Sequence, residues 1–326
     1  MSEDCECGYF DYLAIILGIY VLLPKLFGIY DCIYKSFFLK QHDLLARYGD
    51  GNNSWVLVTG CTSGIGEEMA KRFASLGFNI ILVSRSMDRL NRVKSEIQHI
   101  TNNSLQTKIV VADFAKGGET IQMYEDIYQQ IKDLDIAILV NNAGILYNGY
   151  VNDIETWEFL EMATVNTYPY VLLTKVLLQK LRDRPQSLKN KKTCVISVSS
   201  SISTIKAPYQ CMYSCTKVFE RQWQEAIKHE TLKSVKNLDY LTLCPMYVST
   251  QMTGNIKTDK MGVINSEQYV DGAMKAIGNV DMLFGPAIHQ VQASLTQGLS
   301  RILDYYRFPL YIYNFVIKTQ CDKFKQ

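Results

Sequence analysis

A glycine-rich segment between an apolar run and a helix-like stretch is the strongest constraint on the fold of this chain. The apolar run at residues 55–58 leads into Thr-Gly-Cys-Thr-Ser-Gly-Ile-Gly at residues 59–66. In a strand-turn-helix unit, Gly60 allows the sharp turn, Gly64 lets backbone N–H groups approach a phosphate, and Gly66 permits close helix packing. The segment predicts a dinucleotide-binding unit, although its glycine spacing is wider than in the common fingerprint. Glycines that serve only as turn formers are the alternative.

A second apolar run, at residues 79–83, ends at an arginine. In a nucleotide-binding unit an acid at this strand end binds the ribose 2′-hydroxyl, whereas an arginine pairs with a 2′-phosphate. Arg85 stands here, with Arg89 one helical turn further on and no acid at the strand end. The pattern favours NADPH over NADH. The alternative is an arginine at a solvated helix start.

Two more apolar runs end in polar or small residues, as buried parallel strands do where they face a ligand crevice. The first, at residues 108–111, leads to Asp113, and the second, at residues 136–140, leads to Asn141. We expect Asp113 to contact the adenine and Asn141 to hold the loop beside the nicotinamide ribose, although each also suits a turn or a cap. The order of elements predicts an α/β fold of the Rossmann type, a doubly wound parallel sheet with helices on both faces.

Tyr213 and Lys217 are four residues apart, so they lie on one face of a predicted helix. A free tyrosine has a pKa near ~10, and a nearby ammonium would favour the phenolate. Two unit charges ~4 Å apart gain about 4 kcal/mol at an effective dielectric constant of ~20, enough to lower the pKa by a few units. Tyr213 would then exchange a proton during turnover. A Tyr–Lys pair on a solvated helix is the alternative.

Together with Asn166, the serine run at residues 199–201 and Pro245, these segments resemble the short-chain dehydrogenase/reductase superfamily from about residue 55 to about residue 285. The superfamily's active serine precedes the tyrosine by thirteen positions, which identifies Ser200. Met246 departs from the usual Pro-Gly pair. The resemblance implies that NADP(H) is bound by Gly60, Thr62, Ser63, Gly64, Ile65, Gly66, Arg85, Asp113, Asn141, Ala143, Gly144, Tyr213, Lys217, Val248 and Thr250.

The same resemblance assigns four catalytic roles. Ser200 would polarise a substrate carbonyl and Tyr213 would deliver the proton. Lys217 would lower the pKa of Tyr213 and hold the nicotinamide ribose, and Asn166 would position a water that links Lys217 to solvent. The helix that carries Tyr213 and Lys217 is where such enzymes commonly dimerise, which makes a homodimer a candidate assembly.

Several short strings are most similar to the membrane-bound 17β-hydroxysteroid dehydrogenase and very-long-chain 3-oxoacyl-CoA reductase group. They lie at residues 80–90, 111–115, 196–201 and 213–217. The implied activity is NADPH-dependent reduction of a ketone on a lipid-like substrate, with a very-long-chain 3-oxoacyl-CoA of fatty acid elongation as the first candidate. A steroid substrate, a soluble carbonyl reductase for small substrates, and a non-catalytic relative that binds cofactor are the alternatives. The strings do not settle the physiological direction of the reaction.

Length and composition agree with one enzyme domain and additional segments at its two ends. The net charge of +2 over 326 residues, without a basic patch interleaved with aromatic residues, argues against a nucleic-acid partner. Cys5 and Cys7 lack a matching pair at zinc spacing, so no metal site is predicted. We expect an anchor and linker at residues 1–50, a catalytic domain at 51–290 and an apolar C-terminal segment at 291–326.

The residues before the predicted catalytic domain contain an apolar segment. Residues 12–23 carry no charge, and the apolar character resumes after Pro24-Lys25. Acidic residues precede the segment and lysines follow it, which predicts a catalytic domain in the cytosol. The resemblance to the membrane-bound group implies an anchor in the endoplasmic reticulum membrane. The segment would span the bilayer or lie on it, and a helix packed on the domain is the alternative. The apolar stretch at residues 308–317 is too short to span and suits a membrane interface.

Overall fold

The computed structural model describes residues 9–118, 121–188, 191–232, 235, 237–258 and 262–306. The predicted interfacial stretch at residues 308–317 lies outside these ranges, as do Cys5 and Cys7. The described strands are β1 Ser54–Thr59, β2 Asn79–Ser84, β3 Thr107–Val111, β4 Asp135–Asn141, β5 Thr193–Val198, β6 Leu238–Leu243, β7 Val248–Ser249, β8 Ile264–Asn265 and β9 Met282–Leu283.

Seven of these strands form one parallel sheet in the order β3-β2-β1-β4-β5-β6-β9. The order reverses between β1 and β4, and the carboxyl ends of the strands on either side of such a switch point form a crevice. β7 and β8 pair separately. Every residue of β1 and β5 is buried, because the helices cover both faces of the sheet and each strand needs an unbroken apolar run.

The described helices are α1 Tyr9–Phe37, α2 Leu44–Tyr48, α3 Gly64–Ser75, α4 Met87–Ile100, α5 Gln122–Ile131, α6 Thr156–Ser187, α7 Cys211–Thr231, α8 Ser266–Ala276 and α9 Ala287–Tyr306. Val56 and Val58 of β1 face a core formed with α3, α4 and α8. Trp55 and Leu57 face a second core, formed with α5, α6 and α7. The predicted doubly wound sheet with helices on both faces is confirmed.

The linker before the sheet packs into the domain. Leu44 and Tyr48 of α2 are 1% and 0% exposed and belong to the first core. The Asp239 carboxylate accepts hydrogen bonds from Tyr48 Oη at 2.7 Å and Arg47 Nη2 at 2.8 Å. These contacts lower the pKa of Asp239, although its burial acts in the opposite direction. The packed domain therefore begins before residue 51, the predicted boundary.

The C-terminal helix α9 also crosses a predicted boundary. It begins at Ala287, and its buried residue Ala293 packs with Cys244 and Phe284. Four side chains on its other side are 40–68% exposed and recur at a helical spacing. They are Ile288, Val291, Leu295 and Leu299. One face of α9 thus belongs to the domain, and the opposite face presents an apolar stripe.

The N-terminal helix α1 is longer than the apolar run predicts. It continues through Pro24 without a break, and Tyr12–Phe37 forms a 26-residue segment that contains an 18-residue stretch with a mean hydropathy of 2.0, none of which is buried in the protein. Its length and composition suffice to cross a membrane. It packs against α9.

Candidate active site

The glycine loop after β1 turns tightly into α3. Gly60 and Gly64 both have φ of +61°, a backbone conformation that favours glycine. A Cβ at Gly60 would lie 2.8 Å from Ala143 Cα, and one at Gly64 would lie 2.9 Å from Thr250 Cγ2. Ser63 caps α3 without a side-chain hydrogen bond. The loop is thus shaped for close contact, and the first N–H groups of α3 are available to an anion.

A second loop, after β4, is tied to the glycine loop. The Asn142 side chain donates hydrogen bonds to the carbonyl oxygens of Thr59 and Gly60, at 3.0 and 3.1 Å. Thr59 Oγ1 accepts from the backbone N–H groups of Asn142 and Ala143. Asn141, predicted to hold this loop, is instead 1% exposed and donates to Thr174 Oγ1 on α6 at 3.1 Å. The contact expected of Asn141 is made by Asn142, which the sequence reasoning missed.

These loops border a cleft of about 260 Å³ at the carboxyl ends of the strands. The predicted residues that line it are Gly60, Thr62, Ser63, Gly64, Ile65, Arg85, Asp113, Ala143, Gly144, Tyr213, Lys217 and Thr250. The predicted residues that lie behind or beside its lining are Gly66, Asn141, Asn166, Ser200 and Val248. A Cβ at Gly66 would lie 2.2 Å from Asn142 Nδ2, so this glycine lets the two loops approach each other.

Arginines flank the cleft at the end of β2. The Arg85 side chain is 65% exposed, and its Nη1 lies 3.9 Å from Glu161 Oε1. Arg89 Nη1 donates to Gln251 Oε1 across the cleft at 3.3 Å. The Asp113 carboxylate accepts from the backbone N–H of Ala115. This end of the cleft therefore presents an exposed guanidinium to a bound anion.

The predicted catalytic side chains meet at the other end. Tyr213 and Lys217 are 8% and 3% exposed, and Lys217 Nζ lies 5.5 Å from the centre of the Tyr213 ring. Ser200 precedes a short 3₁₀ turn after β5, where its Oγ accepts from the backbone N–H of Ile202 at 3.3 Å, and its hydroxyl is near enough to Tyr213 to affect the pKa of the phenol. A Cβ at Gly144 would lie 3.3 Å from Lys217 Nζ and 3.4 Å from Asn166 Oδ1. The four predicted catalytic residues and Gly144 thus form one cluster.

Asn166 connects two elements of this cluster. Its Oδ1 accepts from the backbone N–H of Ile145 at 2.8 Å, and its Nδ2 donates to Ile145 O and to Thr216 Oγ1, both at 3.0 Å. Ile145 follows β4, and Thr216 belongs to α7. Asn166, which is fully buried on α6, therefore fixes α7 against the cleft wall.

The sequence reasoning also missed Glu220, which is 0% exposed and one helical turn beyond Lys217. Lys217 Nζ donates to both carboxylate oxygens, at 2.8 and 3.0 Å, and to Val198 O at 3.2 Å. A glutamate three residues after a lysine is a sequence signal for an ion pair, but it does not reveal that the pair is buried.

The electrostatics of Tyr213 differ from the prediction. Burial raises the pKa of the Tyr213 phenol, and the Glu220 carboxylate raises it further. Lys217 and the nearby Ser200 hydroxyl act in the opposite direction without outweighing these two causes. Lys217 acts on the pKa of Tyr213 in the predicted direction, but burial, with Glu220 adding to it, outweighs the lysine, so the expectation of a lowered pKa is wrong.

Within the described ranges, no three His, Cys, Asp or Glu side chains are grouped to hold a metal ion. The cleft instead combines a glycine cradle and a helix N-terminus with a tyrosine, a lysine and a serine. A family model described as short chain dehydrogenase matches residues 54–261, well over half of the chain. The chain is a member of the short-chain dehydrogenase family. The family is one of oxidoreductases, in agreement with the resemblance of the sequence motifs.

Curated relatives of this short-chain dehydrogenase carry three kinds of name. The bovine (Bos taurus) very-long-chain 3-oxoacyl-CoA reductase is 31% identical over 86% of each chain. The zebrafish (Danio rerio) 17-beta-hydroxysteroid dehydrogenase type 3 is 28% identical over 75% of this chain and 76% of its own. The human (Homo sapiens) inactive hydroxysteroid dehydrogenase-like protein 1 is 30% identical over 78% of this chain and 74% of its own.

Solved structures share the fold. A short-chain dehydrogenase from Sphingobium yanoikuyae, in complex with NADPH, superposes with a TM-score of 0.62 at 21% sequence identity. The match covers 76% of this chain and 94% of that one. The predicted similarity to the 3-oxoacyl-CoA reductase and 17β-hydroxysteroid dehydrogenase group is confirmed by the curated relatives.

Proposed function

We propose that this short-chain dehydrogenase uses NADPH to reduce a ketone on a lipid-like substrate to a secondary alcohol. The first candidate substrate is a very-long-chain 3-oxoacyl-CoA. The observation that carries the proposal is that Tyr213 and Lys217, with Ser200 beside them, lie in a cleft that also contains a glycine cradle. Hydride addition builds negative charge on a carbonyl oxygen, which requires a hydrogen-bond donor and a proton source at that oxygen.

The residues of the cleft fit a dinucleotide. The positive φ angles of Gly60 and Gly64 leave the space that a Cβ would fill, and the uncapped start of α3 offers N–H groups to a pyrophosphate. Thr62, Ser63 and Ile65 line the same part of the cleft. When bound, the nicotinamide cofactor supplies the hydride.

The protein's own groups supply the proton and the positioning. The Tyr213 hydroxyl would donate its proton to the developing alkoxide, and its raised pKa keeps it a phenol at neutral pH. The Ser200 hydroxyl would donate a hydrogen bond to the same oxygen. Lys217 is fixed by Val198 O and Glu220, and Asn166 fixes the start of α7 through Thr216.

We expect Arg85 to select NADPH over NADH. Its exposed guanidinium lies at the end of β2, where it can exchange its 3.9 Å contact with Glu161 for a bidentate pair with a 2′-phosphate that NADH lacks. Arg85→Ala should raise the KM for NADPH about tenfold or more and change the KM for NADH little. Steady-state kinetics with both cofactors test this. Equal use of both cofactors by the wild type would contradict it, and Arg182→Ala on α6 is a control for general loss of charge.

A membrane location is proposed from the N-terminal helix. In the proposed arrangement α1 spans the endoplasmic reticulum membrane with the catalytic domain in the cytosol, since lysines follow the apolar segment. The apolar stripe on α9 supports this arrangement, because α9 packs against α1 and would lie along the bilayer surface. An anchored domain of this kind would meet substrates whose chains reside in the bilayer.

A homodimer is proposed as the assembly. Val218 and Phe219 on α7 are 39% and 43% exposed, although α7 packs its other side against the sheet and α6. Exposed apolar side chains on the helix that carries Tyr213 and Lys217 suit an isologous contact between two copies.

The acyl-CoA substrate is proposed from the chemistry of residues at the cleft and from the names of the curated relatives. Met252 lines the cleft, and Lys257 is exposed further along the same segment, a combination that suits an apolar chain followed by a CoA phosphate. The zebrafish relative's name favours a steroid instead. The name of the human relative favours a non-catalytic role, but in this chain the tyrosine, serine and lysine are all present.

An assay on the detergent-solubilised full chain separates these readings. NADPH oxidation should occur with a 3-oxoacyl-CoA series and increase with chain length, with Tyr213→Phe as the blank. Activity on a 17-oxosteroid alone would replace the substrate by a steroid, and activity on small ketones alone would indicate a carbonyl reductase of the soluble type. NADPH binding without reduction of any of these ketones would identify a non-catalytic relative.

A further inference from the structure

A fully buried carboxylate lies behind the proposed proton donor. Glu220 is 0% exposed, and Lys217 Nζ contacts both of its oxygens, at 2.8 and 3.0 Å. Val198 O accepts from Lys217 Nζ at 3.2 Å and from Tyr170 Oη at 2.9 Å. The lysine is therefore held by α7 itself and by the end of β5.

The groups that face Glu220 come from three elements. Tyr213 and Lys217 lie on α7, Tyr170 on α6, and Cys244 directly after β6. Of these four groups only Lys217 is a cation. The charge of Glu220 therefore acts mainly on Lys217 and, one helical turn further back, on Tyr213.

Stability alone does not account for this pair. Removing two charges from water is costly, and apolar residues of similar volume often replace a buried ion pair without loss of stability. The bidentate contact instead has two effects on the site. It fixes the position of the ammonium, and it offsets a positive charge that would otherwise favour the Tyr213 phenolate.

We propose that Glu220 is a positioning residue that acts through Lys217 to keep Tyr213 protonated, and thereby biases the enzyme toward ketone reduction at alkaline pH. This inference rests on the proposed function, because it assigns Tyr213 as the proton donor. Reduction needs the phenol, whereas alcohol oxidation needs the phenolate.

The sign of the effect follows from the charges. A carboxylate near Tyr213 disfavours the phenolate and raises the pKa of Tyr213, so its removal should lower that pKa. Burial raises the pKa of Glu220 itself to about 8, against the opposing effect of Lys217. Glu220 is thus most negative above about pH 8, and its influence on Tyr213 should grow through that range.

The test compares pH profiles of wild type and Glu220→Gln in detergent-solubilised full chain. Glu220→Gln keeps an oxygen acceptor for Lys217 and removes the charge. The alkaline limb of kcat/KM for reduction should move down by about one pH unit, so the loss should approach tenfold at pH values above the wild-type limb, while the two proteins differ little at pH 6. The KM for NADPH should change less than about threefold.

A matched control removes a carboxylate from a second, partly buried pair. Arg184 Nε donates to Asp135 at 2.6 Å, and Asp135 lies at the amino end of β4, opposite the cleft. Asp135→Asn should lower stability without moving the alkaline limb of kcat/KM for reduction. Superimposable profiles for wild type and Glu220→Gln would overturn the inference, as would an equal shift in Asp135→Asn.

A second measurement does not depend on turnover. The ultraviolet absorbance of phenolate is followed during alkaline titration, and the Tyr213 contribution is obtained by subtracting Tyr213→Phe. Its midpoint should fall in Glu220→Gln, and in Glu220→Leu if Glu220→Gln does not fold. An unchanged midpoint for Tyr213 would contradict the role of Glu220. A shifted midpoint in a protein that reduces no ketone would contradict only the proposed function.

Discussion

Replacing Tyr213 by phenylalanine is expected to lower the turnover number for ketone reduction at least ~100-fold while NADPH binding persists. The substitution removes one hydroxyl from a side chain that is 8% exposed. The ring still fills its site, so the cleft should keep its shape. Stopped-flow or steady-state NADPH oxidation measures turnover, and quenching of protein fluorescence measures cofactor binding.

The matched control is Tyr240→Phe. Tyr240 is 5% exposed on β6, and its hydroxyl pairs with Thr231 Oγ1 at 3.0 Å, outside the cleft lining. Loss of this hydrogen bond should cost about 1 kcal/mol of stability and leave turnover near that of wild type. Near-normal NADPH oxidation by Tyr213→Phe would show that another group delivers the proton.

The features that sequence predicted are those fixed by local spacing. The positive φ of Gly60 and Gly64 follows from a turn that only glycine adopts readily, and the order of strand, turn and helix locates it. Tyr213 and Lys217 meet because the helix repeat places residues i and i+4 together. Neither inference required knowledge of distant residues.

The features that sequence missed depend on distant packing. The pair formed by Lys217 and Glu220 is typical of a solvated helix, and only the approach of Tyr170 and the end of β5 buries it. The same holds for Asn141 and Asn142. Adjacent side chains at a strand end point in opposite directions, and the neighbouring α6 and glycine loop determine which asparagine reaches the cleft.

Two arginines in the centre of α1 are expected to release the protein from the membrane. Ile19 and Leu22 are 55% and 58% exposed and lie on one face of the helix. An arginine at the centre of a spanning helix costs about 2.5 to 3.5 kcal/mol, so the double substitution Ile19→Arg/Leu22→Arg disfavours insertion by about 5 to 7 kcal/mol. Carbonate extraction of microsomes, followed by immunoblotting of pellet and supernatant, measures the effect.

The control Ile19→Ala/Leu22→Ala keeps the helix and adds no charge, so it should remain in the pellet with wild type. Because none of the Tyr12–Phe37 segment is buried, the arginine variant should keep its catalytic domain folded and its reductase activity in the supernatant. A helix that only packs on the domain behaves differently. Carbonate would then release wild type as well, and the arginines would leave the distribution unchanged, which would contradict a membrane-spanning α1.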